Sequence, residues 1–187
     1  MEGYPEVIRA KRPRQIYRSW ARIPEKRKEE LLLIKYNPTE MSVYCDCSAI
    51  KGTRCAGISA CFVGYGRVYV QSQKLDKKNV GKSIFSELLA VKFSLDLLPN
   101  ILDRYRQWNP TRVVIYSDVE AIEDLIYKGT SKKLYMRREI EEIKRLMESF
   151  SDLFDVVINY IGEQRSYNIF YNATHTASRK AIGKKRR

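Results

Sequence analysis

Between Met41 and Leu75 the chain runs as three stretches of apolar, β-branched and small residues, each closed by a turn signal. Ser42–Ile50 is followed by Lys51-Gly52-Thr53, Arg54–Gly64 by Tyr65-Gly66, and Arg67–Lys74 alternates Val68 and Val70 with Tyr69 and Gln71. Strands of this length joined by such short turns predict an antiparallel meander. The period then changes. Ile84, Leu88, Val91, Leu95 and Leu98 recur at helical spacing, widened by Phe85, Leu89 and Phe93. They predict an amphipathic helix over Lys82–Leu98. Pro99 is read as its end, because an interior proline removes a backbone donor, with a second short helix over Ile101–Trp108.

Strand character returns at Arg112-Val-Val-Ile-Tyr-Ser-Asp118, whose last two residues are good helix N-cap types. After them Ala121, Ile122, Leu125 and Ile126 fall on one helical face. Leu134–Phe150 predicts a charged helix with Ile140, Ile143, Leu146, Met147 and Phe150 inward; Phe154–Ile161 predicts a last strand, and Ser166–Ile182 a C-terminal helix before a basic tail. Three strands, a helix, a strand, helices, a strand and a helix make a mixed sheet with helices packed on it, an α/β fold. The expected division is a basic N-terminal arm over residues 1–40 and a single domain over 41–187 that ends in a short basic tail.

Length and composition narrow this picture. The chain has 187 residues, 44% of them hydrophobic, which suits one sizeable domain plus an extension. No apolar run reaches the length of a membrane span, and the first residues lack the apolar core of a signal peptide. A soluble intracellular protein is expected, cytoplasmic or nuclear. The net charge of +13 points to a polyanionic partner, nucleic acid first, and no basic amphipathic helix with a long apolar face favours a membrane. In the arm, Arg9, Lys11, Arg12, Arg14, Arg18, Arg22, Lys26, Arg27 and Lys28 are interleaved with Tyr4, Tyr17 and Trp20, and four prolines break any long helix. Such a segment either contacts phosphates and bases or tucks Trp20 and Leu31–Ile34 against the domain. Cys45, Cys47, Cys55 and Cys61 lack paired zinc spacing and are read as small core residues in a reducing compartment.

Three carboxylates sit where core elements meet. Asp46 lies mid-strand, on the face opposite Cys45 and Cys47; Glu87 lies early in the long helix among Ile84, Leu88 and Val91; Asp118 ends the fourth strand. An acid bordered by apolar residues is costly unless it is compensated. A shared cation compensates all three, and oxygen ligands from separate elements suit Mg²⁺ or Mn²⁺. For Asp118 alone the plainer role is a helix cap.

Four motifs, in order, carry a resemblance. Val43-Tyr-Cys-Asp46-Cys-Ser48, Gly57-Ile-Ser-Ala60, Ser86-Glu87-Leu-Leu-Ala90 and Val114-Ile-Tyr-Ser-Asp118 together resemble the ribonuclease H type 1 family, within the ribonuclease H-like superfamily. The resemblance covers about residues 41–182. It implies a five-stranded mixed sheet, three antiparallel strands and then two parallel additions, flanked by helices. It also implies an endonuclease that hydrolyses the RNA strand of RNA/DNA hybrids with two Mg²⁺ or Mn²⁺ ions, leaving a 5′-phosphate. Asp46 would be the shared ligand, Glu87 and Asp118 would hold one ion each, and His175 would complete the second site. Ser48, Asn172 and Arg179 fall at positions that would contact nucleic acid.

Two departures stand against it. Gly162 is followed by Glu163 where the family has a Gly-His turn, and His175 stands where a fourth acid is expected, with Arg179 and Ala181 keeping the spacing behind it. The alternative is therefore a catalytically reduced or inactive module on the same fold that binds nucleic acid or a nucleoprotein partner. Exonucleases, resolvases and transposases also place acidic triads on this fold, and a scaffold domain is a third class.

Overall fold

The computed structural model describes residues 20–50, 52–78, 83–105, 107–129 and 131–184, without the side chain of Ser83. Residues 1–19 of the arm, the proposed first residue of the long helix and the last three residues of the basic tail lie outside them. Five strands, β1 (Glu40–Ala49), β2 (Cys55–Gly64), β3 (Arg67–Asp76), β4 (Arg112–Ser117) and β5 (Asp155–Tyr160), form one sheet in the order β3-β2-β1-β4-β5. β2 pairs antiparallel with β1 and β3, whereas β4 and β5 add in parallel beside β1. The meander read from the turn signals is present, and the two later strands arrive through helical crossovers, as parallel pairing requires.

Strand alternation divides the core. Val43 and Cys45 of β1 join Leu88, Val91, Leu95 and Leu98 of helix α2 (Ser83–Arg104) and Ile140 and Ile143 of helix α3 (Leu134–Glu148) on one face. Tyr44 points the other way, stacked between Tyr116 and Phe170 at 5.2 and 6.1 Å between ring centres. Helix α4 (Ile169–Ala181) covers that second face with Ile169, Phe170 and Tyr171. Of the segment read as an arm, residues 20–40 pack here. Helix α1 (Glu25–Tyr36) starts at Pro24 and buries Leu31 beside Ile23, Cys61 and Val63.

Several local expectations need correction. Helix α2 continues through Pro99 to Arg104, so no separate short helix follows. Pro99 lies on the exposed face, while Leu98 and Ile101 stay buried and hold the helix in place. Ile84, assigned to the inner stripe, is 41% exposed, and Phe85 takes the buried position. After β4 the chain forms a π-helical turn over Asp124–Lys128. The wider turn keeps Ile122 and Ile126 buried together and leaves Ala121 exposed. All four cysteines are free, with Cys45 and Cys61 buried and Cys47 and Cys55 half-buried. No helix among the described residues is long and apolar enough to cross a membrane.

Candidate active site

Asp46 follows Tyr44 by two residues in β1 and therefore faces α4. It is 2% exposed, and its carboxylate has three partners from one helix. Oδ1 lies 3.2 Å from His175 Nδ1 and 3.3 Å from the Tyr171 hydroxyl, while the Ser178 hydroxyl donates to Oδ2. Residues 171, 175 and 178 follow one another at helical spacing, so one stripe of α4 serves one carboxylate. That stripe reaches Asp46 because Gly57 of β2 has no side chain. A Cβ there would sit 2.0 Å from the Ser178 carbonyl oxygen. Asn168, with its side chain accepting from the backbone N–H groups of Phe170 and Tyr171, starts the helix in register.

Asp118 stands at the end of β4, where Ser117, not Asp118, supplies the local cap. The Ser117 hydroxyl accepts from Val119 N at 3.3 Å. The Asp118 carboxylate is thus left to accept from the Tyr171 hydroxyl at 2.8 Å and to pair with Arg165 Nη2 at 3.3 Å. The Tyr171 hydroxyl lies within hydrogen-bond distance of both Asp46 and Asp118, but it has a single proton to give. Burial and the two carboxylates push the ionisation of Tyr171 far upward, so the phenol stays protonated.

Glu87 approaches from α2, at the side of β1. Its Oε1 accepts from the backbone N–H of Cys47 at 3.3 Å, and its Oε2 is buried with no hydrogen-bond partner. Burial first, then the charges of Asp46 and Asp118, raise its pKa well above the usual carboxyl value. His175 is raised as well, chiefly by its hydrogen bond to Asp46, which favours the imidazolium. The same surroundings hold the Cys47 thiol up at about 12, so it is an inert neighbour.

Asp46, Glu87 and Asp118 are thus close enough to feel one another, and His175 joins them through Asp46. Arg179 follows His175 by one turn, and its charge opposes protonation of the imidazole. Ser48 lies on the same face of β1 as Asp46, two residues further along the strand. It is buried, and its hydroxyl accepts from Lys184 Nζ at 3.3 Å. Asn172 is exposed and lines a cavity beside Arg165. Sequence reasoning missed Tyr171, Ser178 and Arg165. For the first two a signal was present, since both share the helical stripe of His175.

The carboxylate donors are hard oxygens, and one Glu87 oxygen is buried without a hydrogen-bond partner, which fits a hard divalent cation. As the side chains stand, no three His, Cys, Asp or Glu residues among those described are gathered closely enough to hold an ion. Tyr171, Ser178 and Arg165 engage two of the carboxylates instead.

Comparison with protein-family profiles and with curated proteins finds no match by sequence. Solved structures do match. Ribonuclease H1 from the halophilic archaeon Halobacterium salinarum superposes with a TM-score of 0.61 at 11% identity, over 78% of this chain and 99% of that one. The fold is that of ribonuclease H. LC11-RNase H1, isolated from compost, gives a TM-score of 0.58 at 17% identity, with 78% and 99% of the two chains covered. The same enzyme in complex with an RNA/DNA hybrid gives 0.55 at 16% identity, covering 76% and 99%. At these identities the ribonuclease H likeness is one of architecture: the sheet order, its three antiparallel and two parallel members, and the flanking helices.

Proposed function

We propose that this chain is a metal-dependent endonuclease that hydrolyses the RNA strand of RNA/DNA hybrids. The observation that carries the reading is the convergence of Asp46, Glu87 and Asp118 from three separate elements, with one Glu87 oxygen buried and unpartnered. Buried like charges are expensive to keep, and active sites are where such an expense recurs. The hybrid is the choice of substrate because the fold is shared with a ribonuclease H1 solved on that ligand and because a net charge of +13 suits a phosphate-rich duplex.

Asp46, Glu87, Asp118 and His175 would hold Mg²⁺ or Mn²⁺, two ions in all. Bound there, the ions supply neutralisation of the acids and Lewis acidity for phosphodiester hydrolysis. The chain's own groups do the rest. Ser178 fixes the Asp46 carboxylate from the side opposite His175. With Nδ1 facing Asp46, Nε2 of the half-exposed His175 ring would be its donor atom toward an ion. Arg165 holds a positive charge against Asp118 and so lowers the repulsion that Glu87 feels.

The test is cleavage of a labelled hybrid beside single- and double-stranded RNA and DNA, with Mg²⁺, with Mn²⁺ and with chelator. Metal-dependent cutting of the hybrid's RNA strand alone is expected, and Asp46→Asn should abolish it. Normal turnover by Asp46→Asn would remove Asp46 from the site. A second reading, a module that binds nucleic acid without cutting it, draws on the hydroxyl of Tyr171 and the guanidinium of Arg165, which already engage the acids. Hybrid binding without cleavage under every metal condition is its signature.

A further inference from the structure

A cavity of about 980 Å³ opens between the start of α1 and the turn that joins β5 to α4. Arg22, Arg27 and Arg165 line it against a single acid, Glu163, and Tyr167 and Asn172 complete its wall. The cavity shares Arg165 with the carboxylate cluster, since Arg165 Nη2 pairs with Asp118.

The three arginines are held differently. Arg27 is fixed. Its guanidinium lies 4.6 Å from the ring centre of Tyr167 and pairs with Glu30 at 3.1 Å and Glu163 at 3.6 Å. Tyr167 is itself anchored by a hydroxyl that donates to Glu30 at 2.9 Å. Arg165 is held by Asp118. Arg22 is exposed and has no hydrogen bond or ion pair to any described residue. A planar guanidinium offers a fork of donors that matches a phosphate group, and one already held in place loses little freedom on binding. Helix α1 begins at the same rim, with Pro24 at its N-cap and no side-chain cap.

We propose that this cavity binds a backbone phosphate of the nucleic-acid strand, next along from the linkage presented to Asp118. The site rests on the nuclease reading, because it is Arg165 that joins the cavity to the acids. It assigns a role to the segment around Arg22. That segment is packed onto the domain by Ile23 and presents its charge beside the site. Such a subsite recognises phosphate and leaves base identity unread.

The experiment uses the full chain, a fluorescently labelled RNA/DNA hybrid and chelator to prevent turnover. Binding is measured across a range of KCl concentrations for the wild type, Arg22→Gln and Arg22→Lys. Arg22 is exposed and has no hydrogen bond or ion pair among the described residues, so neither substitution threatens the described packing. Arg22→Gln is expected to weaken binding by about two- to ten-fold and to lower the slope of log affinity against log salt by about one. Arg22→Lys should keep the slope and lose only part of the affinity. Identical affinity and slope in Arg22→Gln would overturn the cavity site while leaving hydrolysis by the wild type untouched. A wild type that neither binds nor cuts any hybrid would overturn the nuclease reading and the cavity site with it.

Discussion

At Glu87, burial and two neighbouring negative charges act in the same direction. Its folded pKa lies above the usual carboxyl value, so the folded chain binds this proton more tightly than the unfolded chain. The contribution to stability is present below about pH 4.5 and is lost as pH rises through the folded pKa. Glu87→Gln keeps the acceptor for Cys47 N and removes the charge. In chelator at pH 8 the variant should melt higher than wild type by roughly 2–4 °C, or about 1 kcal/mol, and the gap should close toward pH 4. Melting curves at the two pH values check this, and a variant that melts lower at pH 8 would contradict it. At this scale the sequence was partly readable. Asp46, Glu87 and Asp118 stood out because polar residues among apolar ones are conspicuous in a string, whereas His175 was reached only through the family resemblance. Tyr171 and Arg165 did not: a tyrosine looks like core, and an arginine in so basic a chain is one of many. Their meaning comes from distances across more than 45 residues of chain.

Among the elements, the approach of α4 to β2 is the most exposed to a small change. Gly57→Ala would drive a methyl group into the Ser178 carbonyl oxygen, and the helix must shift to admit it. A loss of about 1–3 kcal/mol is expected from overpacking. Because the same helix carries Tyr171, His175 and Ser178, hydrolysis should fall by more than the loss of folded protein explains. Denaturant melts and hybrid cleavage on one preparation separate the two effects. The strands were legible nearly to the residue, since period two and short turns are local signals. β2, expected over Arg54–Gly64, runs Cys55–Gly64. The path through Pro99 and the π turn after β4 were not. Both depend on how tertiary packing of Leu98, Ile101, Ile122 and Ile126 overrides local preference.

For the molecule as a whole, the N-terminal segment brings both positive charge and packing. Removing residues 1–19 takes away Arg9, Lys11, Arg12, Arg14 and Arg18 and should flatten the salt dependence of hybrid binding. Removing residues 1–36 also strips Ile23 and Leu31 from the second face, each contributing about 1.5–3 kcal/mol of burial. That chain should melt lower or fail to fold, and paired melting and binding curves distinguish the two deletions. Net charge in the sequence announced a polyanionic partner, but it could not say which basic residues face one another across a cavity. The layout of the acid site has one more consequence. Asp46 meets Tyr171, His175 and Ser178 across 125, 129 and 132 positions of sequence. During translation the first strand and its carboxylate emerge from the ribosome long before the helix that answers them. A product cut short before Ile169 would carry the acids and all five strands but lack the helix that covers most of the Tyr44 face, and so would be a target for chaperones and proteases.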